Sequence, residues 1–131
     1  MEIDLQRNRS FSIRETLLNG VLCLALSGDF DAAASEHFTN YILKLVQDDD
    51  RKKIVLDMIN VQKLSIAGIH ALIGARGQAY SLSIVNIPES IHRVIELAET
   101  TDFFAIYESL NDVIDSTVEE PVEELQSAET W

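Results

Sequence analysis

Polar and apolar positions follow three rhythms along this chain. Around Phe11 and Ile13 they alternate, as in a strand with one face in water. Val21-Leu22-Cys23-Leu24-Ala25-Leu26 is apolar throughout and predicts a strand central in its sheet. Residues 3–18 and 20–27 therefore read as two strands joined at Asn19-Gly20, a dipeptide suited to a tight hairpin turn. A second buried strand is predicted at Ile54-Val55-Leu56, where Asp57 ends the apolar run and a loop through Asn60, Val61 and Lys63 follows. Two shorter strands are predicted at Ser81 to Asn86 and at Phe103 to Tyr107.

Helical spacing fills the intervals. Ala34, Phe38, Tyr41/Ile42 and Leu45/Val46 place one apolar face on a helix over Ala32 to Gln47. Ile66, Ile69, Leu72 and Ile73 do the same for residues 66–79, with Ser65 as N-cap. Inside that helix Gly74 and Gly77 each weaken helicity by ~1 kcal/mol relative to alanine, which predicts close approach to a neighbour. Pro88 sits near the first turn of the next helix, whose buried stripe is Ile91, Val94, Ile95 and Ala98. Ser109 caps a last one around Leu110, Val113 and Ile114. Strand–helix alternation after an initial hairpin defines an α/β domain. The expected architecture is a mixed sheet of about five strands, the hairpin plus parallel crossovers, packed by four to five helices.

Charge divides the chain. Residues 1–95 hold all 10 Lys and Arg and 11 of the 22 acidic groups, a balance of −1; residues 96–131 hold the other 11 acids and no base, a balance of −11. A body over 1–115 with an acidic, flexible tail over 116–131 is the expected organisation, since the tail's acidic runs are broken by Pro121. The only basic clusters are Arg7/Arg9/Arg14 and Arg51-Lys52-Lys53, so nucleic acid and anionic membranes are not expected partners. No apolar run approaches the ~20 residues that span a bilayer, and MEIDLQRNRS lacks the apolar segment of a signal peptide. Cys23 is the single cysteine and reads as a small buried hydrophobe. A reducing, cytoplasmic setting is the default.

Enzyme chemistry finds little support. His37, His70 and His92 lie on separate predicted helices without a second ligand at metal spacing, and His70 reads as a surface histidine near Ser65. No G-x-S-x-G elbow, Walker loop or G-x-G-x-x-G occurs. Asp57 with Asp29 and Asp31 invites comparison with the Mg²⁺ and aspartyl-phosphate site of receiver domains. Such a site also needs a lysine after the last strand; none follows Lys63, and Glu108 stands there instead. No cofactor and no catalytic residue are expected, and a protein-interaction domain remains.

The strand–loop–helix unit from Ile54 onward resembles the core of the STAS family, which includes the anti-sigma factor antagonists of bacterial partner switching. Ile54-Val55-Leu56-Asp57-Met58, Val61, Leu64 and Gly68-Ile69 match the family pattern, as does the turn Gly28-Asp29-Phe30-Asp31. Pro88, Ile91, Arg93-Val94-Ile95-Glu96-Leu97, Phe104, Ile106-Tyr107 and Ser109 extend the match, which covers residues 10–115. In the family's D-S-x-G the serine accepts phosphate from a partner kinase. Here the four positions are Ser65, Ile66, Ala67 and Gly68, so the aspartate is replaced by serine and the acceptor by isoleucine. The resemblance implies docking on a kinase-type anti-sigma factor, or another signalling protein, through Asp29, Asp31, Ser65, Ile66, Ala67, Gly68, Ile69 and His70. With Ile66 at the acceptor position the chain would be permanently competent to bind, unless Ser65 is phosphorylated instead. The alternative is a non-switching STAS subunit of a signalling scaffold or a lipid or ABC transport complex. A weak homodimer is a further expectation.

Overall fold

The computed structural model describes residues 10–48 and 53–114. Strands β1 (Ser12–Leu18) and β2 (Val21–Phe30) pair antiparallel across Asn19-Gly20. Both turn residues have positive φ, 53° and 79°, the geometry of a type I′ turn, whose twist matches that of the flanking strands. The rest of the chain alternates helix and strand: α1 (Ala32–Asp48), β3 (Lys53–Leu64), α2 (Ile66–Gln78), β4 (Ser81–Val85), α3 (Glu89–Leu97) and β5 (Ala105–Tyr107). A fourth helix, α4, begins at Leu110 and is described to residue 114. The sheet order is β1-β2-β3-β4-β5, and every pair after the hairpin is parallel. The fold is thus the expected mixed five-stranded sheet. Residues 3–9 of the predicted first strand, and the predicted tail over 116–131, lie outside the described residues.

Each parallel crossover passes to the next strand in line, and α1, α2 and α3 all bury residues in the same core. Leu22, Leu24 and Leu26 of β2, Ile54, Leu56 and Met58 of β3, and Leu82 and Ile84 of β4 meet Phe38, Ile42, Ile69, Leu72, Ile91 and Ile95. The opposite sheet face carries a smaller cluster, Val21, Val55 and Val85 under Val113 of α4. Phe30 anchors the end of β2 in an aromatic group, its ring centroid 4.9 Å from Phe11 and 5.2 Å from Phe38.

Several elements depart from the pattern reading. The predicted loop after Asp57 is strand: β3 continues to Leu64, paired with β2 alone beyond Asp57 because β4 ends opposite it at Val85. With one neighbour lost, its polar residues face water while Met58, Val61 and Leu64 stay buried. β2 likewise runs past Ser27 to Phe30, through register shifts at Ala25/Ser27 and Gly28/Asp29. β2 lies inside the sheet between β1 and β3, as its apolar run predicts, and β3 is the middle strand. The last strand starts at Ala105, since Phe103 belongs to a short 3₁₀ turn over Thr101–Phe103. Cys23 is half-buried, not fully buried; desolvation, and secondly the Asp57 carboxylate, push its thiol pKa up.

The glycines of α2 reverse their expected roles. A Cβ at Gly74 or Gly77 would meet nothing within 4 Å, so neither brings the helix close to a neighbour. Gly68 does. A Cβ there would stand 2.7 Å from Leu64 Cδ1 and 2.8 Å from the Phe30 carbonyl oxygen.

Candidate docking site

β2 and β3 end side by side, with Asp29 across from Lys63 and Phe30 across from Leu64. Each strand then passes straight into a helix, which puts the N-termini of α1 and α2 at one end of the sheet. Asp31 caps α1: its Oδ1 accepts from Ala34 N at 3.0 Å, and its main-chain oxygen accepts from Ser35 Oγ at 2.7 Å. Asp31 is therefore a structural cap as well as part of an acidic rim.

Ser65 caps α2 with extended backbone, φ −88° and ψ 170°. Its Oγ accepts from Gly68 N at 3.1 Å and donates to the Phe30 oxygen at 3.0 Å, and its own N–H donates to that same oxygen at 3.0 Å. One hydroxyl thus ties the start of α2 to the end of β2. Gly68 is needed because the helix's first turn lies against that carbonyl.

Ile66, the first residue of α2, is 60% exposed. Other large apolar side chains among the described residues are as exposed, Leu17 and Leu97 among them, so what sets Ile66 apart is its place at the start of α2 beside Ser65. Ala67 is half-buried and His70 exposed, whereas Gly68 is buried and Ile69, at 1%, belongs to the core. The eight residues singled out from sequence therefore divide. Asp29, Asp31, Ser65, Ile66, Ala67 and His70 reach the surface to some degree, while Gly68 and Ile69 hold α2 in place beneath it.

An open groove of about 360 Å³ runs between Asp29, Asp31, Lys63 and Ser65. It adjoins a cleft of about 600 Å³ that adds Phe11 and His37 to the wall. Lys63, Phe11 and His37 were not singled out from sequence; the pairing of Asp29 with Lys63 emerges only once β3 is seen to continue. Asp57, by contrast, lies across from Ala25 and is held by Asn86, whose Nδ2 donates to its Oδ1 at 3.2 Å. It shares no site with Asp29 and Asp31. Among the described residues no group of three or more His, Cys, Asp or Glu is placed to hold a metal ion, and no helix is long and apolar enough to cross a membrane.

This fold agrees with the comparisons. The STAS domain family model matches residues 13–113, and the chain belongs to that family. Among solved structures, an anti-sigma factor antagonist from Mycobacterium paratuberculosis aligns with a TM-score of 0.72 at 20% identity, over 82% of this chain and 94% of that one. SpoIIAA of Bacillus in its phosphorylated form aligns with a TM-score of 0.60 at 12% identity, over 82% and 99%. The murine anion transporter Slc26a9 aligns with a TM-score of 0.64 at 18% identity, over 86% of this chain but 23% of the transporter. At these identities the structural likeness speaks to fold.

Proposed function

We propose that this STAS domain is a non-enzymatic, cytoplasmic docking module of the anti-sigma factor antagonist kind, permanently competent to bind a kinase-type anti-sigma factor or a similar signalling protein. The observation that carries the reading is Ile66. It stands where the family pattern has the phosphate acceptor, it is well exposed, and it cannot be phosphorylated. In a switching relative, phosphate adds about −1.5 to −2 charge at the docking surface and releases the partner. Here that position presents a side chain whose burial would instead favour the complex.

Ser65 is poorly suited to take over the switch. Its hydroxyl proton is committed to Phe30, and one of its two lone pairs accepts from Gly68. Phosphate on that oxygen would lose the donor to Phe30 and set negative charge beside its carbonyl dipole.

A second reading, a non-switching subunit of a signalling scaffold or transport complex, draws support from the fold shared with part of an anion transporter. Purification of the tagged chain from its native cell separates the two. A kinase-like protein bound at unit stoichiometry supports the first; transporter subunits support the second and overturn the first.

A further inference from the structure

Helices α1, α2 and α3 pack on one face of the sheet, and α4 lies on the other. α4 starts just after the edge strand β5, and its Val113 is buried in a cluster that reaches Val85 of β4, Val55 of β3 and Val21 of β2. The helix therefore runs inward across the sheet, towards the β1–β2 hairpin. At residue 114, the last described, it has not covered that hairpin. Arg14, Thr16 and Leu18 of β1, which pair with Ala25, Cys23 and Val21, stay exposed on this face. Cys23 and Ala25 are only half-buried.

The chain that follows fits what is left open. β5 and β1 are four strand spacings apart, ~19 Å, and a helical path covers that distance in about 13 residues. From Leu110 to Trp131 there are 22. Ile114, Val118, Val122 and Leu125 recur every three or four positions, continuing the apolar stripe of α4. Pro121 forbids one unbroken helix but suits the first turn of a new one. Charge agrees. Between Asp115 and Glu129 the chain carries six acidic groups and no base, whereas the open face carries Arg14 and, at the start of β3, Lys53. Asp57 is on this face too, two strands in from Arg14, and its Oδ1 accepts from Asn86 and from the Ile59 N–H. Asp29 stands at the far end of β2, across from Lys63.

We propose that residues 116–126 fold back over the outer face of the hairpin, with Val118, Val122 and Leu125 seated on Thr16, Leu18 and Cys23 and the flanking glutamates against Arg14 and Lys53. The segment that reads in sequence as a flexible tail is then the cover of the sheet's second face. Apolar burial supplies the attraction, and the acid–base pairing fixes where the segment lies. Because the segment is tethered to α4, it docks at the high effective concentration of a short linker, so a modest contact suffices. The single cysteine of the chain, Cys23, is shielded beneath it.

NMR on the full chain, with no partner present, tests this apart from the docking reading. Backbone order parameters over 116–126 are expected near the rigid value of about 0.85. Methyl NOEs are expected from Val118, Val122 and Leu125 to Thr16 and Leu18. Leu18→Glu and Arg14→Glu, both at exposed positions, each set negative charge against the acidic segment. Each is expected to lower its order parameters below about 0.6, while unchanged amide shifts in β3 and β4 report an intact fold. Order parameters below about 0.6 in the wild type, or a segment that stays rigid in both variants, overturns the proposal. NOEs that arise only between copies in a mixed-isotope sample also overturn it and assign the face to a second copy.

Discussion

Ser65 and Phe30, 35 residues apart, are joined by two hydrogen bonds to one carbonyl oxygen, one from the Ser65 hydroxyl and one from its main-chain N–H, both 3.0 Å long. The serine at the start of α2 is thereby a clip between helix and sheet. Removing its hydroxyl loses the cap on Gly68 and one bond to Phe30 but leaves the main-chain bond in place. Ser65→Ala is expected to cost about 1–2 kcal/mol, read by denaturant unfolding. A loss well below that range would show that the clip contributes little. Mass spectrometry of the protein from growing cells is expected to find Ser65 unphosphorylated.

The glycines of α2 give a prediction with opposite signs along one helix. Gly68→Ala places a Cβ against Leu64 and the Phe30 carbonyl, which is expected to destabilise by about 1–3 kcal/mol. Gly74→Ala and Gly77→Ala meet open space and are expected to stabilise by up to ~1 kcal/mol each through helix propensity. Thermal melts of the three single variants decide it.

Tyr41 on α1 donates its hydroxyl to Glu15 on β1, across the hairpin's outer strand. Desolvation first, and then the Glu15 carboxylate, push its pKa up from 10 to about 12. A pKa raised in the folded state means that the native protein holds this proton more tightly. The contribution is therefore fully present below pH 10 and is lost as pH rises towards 12. Wild type is expected to lose more stability over that interval than Tyr41→Phe. Equal slopes would show that the contact does not couple β1 to α1.

How far the sequence discloses this molecule depends on whether a feature is local. The hairpin is legible because Asn19-Gly20 encodes positive φ within two residues, and α1 is legible because one stripe of it is buried. The second half of β3 is not. Asp57, Asn60, Gln62 and Lys63 break the apolar run, since that half has a neighbour on one side only, and the shifts opposite β2 disturb any period of two. The roles of the glycines are equally hidden, because what a Cβ would touch is set by Phe30, far along the chain. At the site itself, composition and family pattern point to Ser65 and Ile66. That one is tied down and the other exposed is a matter of tertiary contact, as is the placing of Ile69 in the core.

The affinity of the natural partner for four forms of the chain tests the docking surface most directly. Calorimetric titration of wild type, Ser65→Ala and Ile66→Asp, with Ser65→Asp as a fourth form, separates an apolar contact from a serine switch. A fully buried isoleucine contributes ~1.5–3 kcal/mol, roughly ten- to hundred-fold in affinity. Ile66→Asp is expected to weaken binding by at least that factor, and Ser65→Ala by far less. Wild-type affinity for Ile66→Asp, with binding abolished instead by Ser65→Asp, would contradict a permanently competent surface and put the switch at Ser65.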